Sequence, residues 1–71
     1  MSDKERIQRA KRLIERGAEG DVVEAENLLA AVNMPCNPAA LLRNKEMSEF
    51  EAVGYLDAQL LSKCIPAVTV L

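Results

Sequence analysis

Apolar residues recur every three or four positions along most of the chain, the interval that gathers them on one face of a helix. Ile7, Ala10, Leu13 and Ile14 form the first such stripe. Ser2 and Glu5 precede it at capping-box spacing. There the hydroxyl takes a free amide of the first turn and the carboxylate returns to the cap. Arg16-Gly17 closes this helix, a cation in the last turn followed by the residue that best accepts a left-handed conformation. Gly17-Ala18-Glu19-Gly20 reads as the joint. Asp21, with Glu24 three residues on, opens a second helix. Its face of Val22, Ala25, Leu28, Leu29 and Val32 is the cleanest amphipathic stretch in the sequence. Asn33 ends it, and Pro35 enforces the stop.

Asn37-Pro38 pairs a cap with a first-turn proline and predicts a new start. Ala39, Ala40, Leu41 and Leu42 supply one or two turns before Asn44-Lys45-Glu46 breaks the pattern. Ser48 and Glu51 repeat the capping-box spacing, and Met47 is placed to staple onto Ala52. Phe50, Val53, Leu56, Leu60 and Leu61 then run to Lys63. Two arrangements fit: a short third helix with a fourth from Glu49 to about Lys63, or one long kinked helix. Gly54 lies inside this stretch at a cost of about 1 kcal/mol relative to alanine. The last residues, 65–71, change character: they are apolar, β-branched and uncharged. Pro66 stops the helix, and the segment reads as an extended arm.

The expected fold class is therefore all-α. Three or four short antiparallel helices make one small domain over residues 1–64, and 65–71 form an extended apolar C-terminal arm. The expected core is Ile7, Leu13, Ile14, Leu28, Leu29, Val32, Leu41, Phe50, Val53, Leu56 and Leu60. Seventy-one residues give a domain that buries about 60% of its unfolded surface, the low end for independent folding.

Composition narrows what such a domain can do. Histidine is absent, which removes the commonest general base and the commonest metal ligand. No Ser/His/Asp or Cys/His set can be assembled, and Gly17 and Gly20 lack the rest of a phosphate-loop pattern. Cys36 and Cys64 are not a C-x-x-C pair and read as reduced structural side chains. No catalytic residue, cofactor or metal is implied. The charged N-terminus does not resemble a signal peptide, no apolar run reaches the length of a membrane span, and the expected location is cytoplasmic.

Charge is unevenly spread, although the formal net charge is only −2. Lys4, Arg6, Arg9, Lys11, Arg12 and Arg16 all lie in the first helix, while acids dominate from Asp21 onward. Arg9, Arg12 and Arg16 share one helical face, a row able to grip an acidic protein or a phosphate. A helix-turn-helix can also be drawn over residues 22–45, with Asn37, Arg43, Asn44 and Lys45 as reading residues. The prolines around Cys36 and the missing basic footprint weigh against nucleic acid as a ligand.

With no constellation for catalysis, the expected role is a small non-enzymatic regulator or inhibitor that binds another protein. A homodimer is expected, because the second helix and the tail offer more apolar surface than a thin bundle can cover. The expected partner-binding residues are Arg9, Arg12 and Arg16, with Val68, Val70 and Leu71 of the tail. The alternative is a helix-turn-helix DNA-binding regulator.

Overall fold

The computed structural model describes residues 2–64. Four helices follow one another: α1 (Asp3–Arg16), α2 (Glu19–Ala30), α3 (Pro38–Arg43) and α4 (Glu49–Cys64). The third and fourth are separate, so the single kinked helix is not formed. The predicted arm at 65–71, with Val68, Val70 and Leu71, lies outside the described residues, as does the side chain of Cys64.

The capping signals of α1 and α4 form as the spacing predicts. Glu5 N–H donates to Ser2 Oγ at 3.2 Å, and Ser2 N–H donates to Glu5 Oε1 at 3.0 Å. The same reciprocal pair joins Ser48 and Glu51, both bonds at 3.1 Å. Gly17 ends α1 with φ +76°, its N–H bonded to the carbonyl of Ile14.

The start of α2 differs from expectation. It begins two residues before Asp21, with Ala18 at the cap and no side-chain bond there. One left-handed glycine is enough to turn the chain, so Gly20 is free to enter the helix. Asp21 instead sits in the first turn and pairs with Arg16 Nε at 3.2 Å, clamping α2 to the end of α1. At its other end α2 closes at Ala30, and Val32 N–H reaches back to Leu29 O at 3.0 Å. That tighter last turn still carries Val32 into the core, where it is buried.

Asn37 caps α3 as predicted, accepting from the N–H groups of Ala39 and Ala40. The break after Arg43 is a Schellman close: Lys45 takes φ +63°, Lys45 N–H bonds Leu42 O, and Glu46 N–H bonds Leu41 O.

The helices close into a ring in which α1 packs on α2 and α4, α2 on α3, and α3 on α4. Helix α4 runs antiparallel to α1. Gly17, at the end of α1, lies beside Glu49 at the start of α4, and Lys11 pairs with Asp57 at 2.7 Å farther along both. Ile7, Ile14, Leu29 and Leu56 fill the centre. Between them each helix contributes one fully buried alanine: Ala10, Ala25, Ala39 and Ala52. These small side chains let the backbones approach, so large residues are needed at few positions.

Three expectations about burial are corrected. Phe50 is not in the core; it is 86% exposed. Ala52 and Leu56 define the inward face of α4, and Phe50 lies on nearly the opposite side of the helix. Leu41 is only half-buried and stands outside the core cluster. The face of α2 is not surplus, because Val22, Ala25, Leu29 and Val32 are all buried within the chain and Leu28 packs against them.

Candidate protein-binding surface

The arginine row of α1 comes together as the helical spacing requires. Arg9, Arg12 and Arg16 line one cleft of about 220 Å³ with Leu13 and, from α2, Glu24. The i, i+3, i+7 interval stacks the three guanidinium groups along the groove where α1 meets α2. Arg16 is committed within the fold to Asp21. Arg9 and Arg12 are exposed and make no ion pair among the described residues. The half-buried side chain of Leu13 gives the cleft an apolar contact between its charges. A guanidinium beside an apolar surface suits a carboxylate-bearing side chain with an aliphatic stem. Arg12 also borders a second cleft of about 170 Å³, lined by Gln8, Lys11, Glu15 and Leu60 on the α4 side. It therefore stands on the ridge of α1 between its two neighbours.

The four residues of the helix-turn-helix reading are gathered at the two ends of α3, and the fold occupies them. Besides capping, Asn37 donates from Nδ2 to the carbonyl of Glu26 at 3.0 Å. Arg43 makes a forked pair with Glu26, Nε to Oε1 at 2.7 Å and Nη2 to Oε2 at 3.2 Å. That pair holds the Glu26 carboxyl below its ordinary range and raises Arg43 further. Asn44 is the C-cap and Lys45 the left-handed residue after it. Six residues of helix whose polar ends point back into α2 make a brace rather than a reading head.

Cys36 is free and half-buried in the α2–α3 connection. Next to it, the Tyr55 hydroxyl is closed to solvent and has no hydrogen-bond partner. Interaction with the Cys36 side chain, then burial, push the tyrosine pKa up. That interaction stops short of hydrogen-bond geometry, since the oxygen remains unpartnered. Among the described residues, no three His, Cys, Asp or Glu side chains group to hold a metal, and no helix is long and apolar enough to cross a membrane.

Two features of the surface were missed by reasoning from sequence. Leu13 was assigned to the core and Glu24 to a capping box, yet both line the arginine cleft. Phe50 and Leu61 were read as one continuous apolar face with Leu56, and both are exposed, Leu61 at 62%. The signal was available in the register of α4, since Leu56 cannot face inward together with both of them.

Comparison with protein-family models, curated proteins and solved structures gives no match for this chain.

Proposed function

We propose that the protein is a small non-enzymatic regulator or inhibitor that acts by binding another protein. Its target presents acidic side chains to the cleft between α1 and α2. The observation that supports this reading is the pair of uncommitted arginines, Arg9 and Arg12, on either side of Leu13 in one groove. Arginine bound to a carboxylate in a fixed fork gives both charge attraction and direction. Lys11 and Arg43, by contrast, already hold carboxylates of this chain.

The test is affinity capture from the native host with the natural sequence and with Arg9→Glu plus Arg12→Glu, read by quantitative mass spectrometry. Both side chains are exposed, so the double variant keeps the helical circular dichroism of the parent. The expected result is loss of at least one specifically captured protein, with binding restored by Arg9→Lys plus Arg12→Lys only in part. An identical set of captured proteins from both chains overturns the reading.

A further inference from the structure

The side of α4 that faces away from the core carries an apolar strip with an internal two-fold pattern. At about 100° per residue, Phe50, Gly54, Ala58 and Leu61 fall within about 80° of one another around the helix. The two large side chains stand at the ends, 86% and 62% exposed. The two small residues between them are also exposed, and a Cβ built on Gly54 meets no atom within 4 Å. We propose that this strip is the seam of a homodimer in which α4 packs antiparallel against α4 of a second copy. The proposal concerns a different face from the arginine cleft and does not depend on it.

The pattern large, small, small, large matches itself only when the second helix is reversed. A two-fold axis passing between Tyr55 and Leu56 sets Phe50 over Leu61 of the second copy at each end. It also brings Gly54 against Ala58 near the middle, where the missing side chain allows the helices to touch. A parallel pairing would instead stack Phe50 on Phe50 and leave the shorter Leu61 ends apart. The contact is isologous and closes on itself, so it yields dimers and not filaments.

Charge agrees with this arrangement. The only charged position inside the strip is Asp57, and Lys11 already holds it at 2.7 Å. Each copy thus brings a neutral pair to the centre of the seam. The two-fold axis places both pairs on the same side, so each Asp57 gains the second copy's Lys11 instead of facing a bare carboxylate. Glu51 flanks the strip and falls beside Ser62 of the second copy, a hydroxyl and not an acid. The start of α4 has no such balance for a parallel partner: Glu49 and Glu51 would meet their own copies.

One helix face 16 residues long makes a small interface, below the roughly 1,200 Å² of standard stable complexes. The dimer is therefore expected to dissociate in a midpoint range of about 10–500 μM, equivalent to micromolar affinity. Sedimentation equilibrium of the full chain from low micromolar to millimolar concentration tests it. The expected result is reversible dimerisation, weakened at least tenfold by Phe50→Glu and by Gly54→Arg, with helical circular dichroism kept in both. Orientation is read by oxidative cross-linking in a Cys36→Ser, Cys64→Ser background. Gly54→Cys is expected to link two copies, because its two positions lie close to the axis, whereas Phe50→Cys alone is not. A chain monomeric at millimolar concentration overturns the proposal, whether or not residues 65–71 prove to cover the strip. A dimer indifferent to Phe50→Glu and Gly54→Arg, or efficient linking through Phe50→Cys, overturns it as well.

Discussion

Tyr55 turns its ring against the core and its hydroxyl into a place closed to water, where nothing accepts the proton. Burying a hydroxyl without a partner costs on the order of 1–3 kcal/mol, more than the ring's last atom returns by packing. Removing the oxygen should therefore not destabilise the protein. Tyr55→Phe is expected to leave stability unchanged or raise it by up to about 1 kcal/mol, measured by urea denaturation. A loss of more than about 1 kcal/mol would mean that the hydroxyl has a partner. At this scale sequence reasoning had nothing to work with: Tyr55 falls between Val53 and Leu56, and only the neighbouring Cys36, nineteen positions away in the chain, makes its hydroxyl unusual.

Helix α3 is too short to hold itself, since six residues give few internal bonds for the entropy of ordering them. It is held from outside. Asn37 ties its start to the carbonyl of Glu26, and Arg43 ties its end to the Glu26 carboxylate. One residue of α2 thus receives both ends of α3. Because Arg43 lowers the Glu26 pKa from its ordinary 4.5, the pair stabilises the fold above the unfolded-state value. That contribution is lost as pH falls through the lower folded value. Arg43→Gln is expected to reduce stability at pH 7, with the gap from the natural chain narrowing at pH 3, in paired denaturation curves. A gap equally large at both values would show that the arginine acts through packing alone. The cap at Asn37 was legible because asparagine before proline is a local signal. The forked pair was not, because Glu26 and Arg43 are neighbours only after the chain has turned twice.

The four helices meet through alanines as much as through large side chains, and this sets how the bundle responds to change. Ala52 is fully buried where α4 faces the ring, with Ala10, Ala25 and Ala39 in the other three helices. Enlarging it forces backbones apart, so Ala52→Leu is expected to cost about 1–3 kcal/mol and to lower the thermal midpoint. Retention of full stability would mean that the contact has room the structure does not show. The sequence by itself determined that the chain is helical, where α1, α3 and α4 begin, and that Arg9, Arg12 and Arg16 share a face. Those properties follow from caps and intervals within a few residues, which chemistry fixes locally. Tertiary structure decided the rest. It alone chose which of several apolar residues on α4 would face inward, sending Leu56 in and Phe50 and Leu61 out. A sixteen-residue helix with apolar groups on several sides can be rolled to more than one register. Only the fit of Ala52 and Leu56 against the other helices selects among them. Tertiary structure likewise turned the polar ends of α3 into a brace on α2 and left the arginines of α1 in an open groove. Both outcomes depend on which helices become neighbours, a relation between distant parts of the chain that no local spacing encodes.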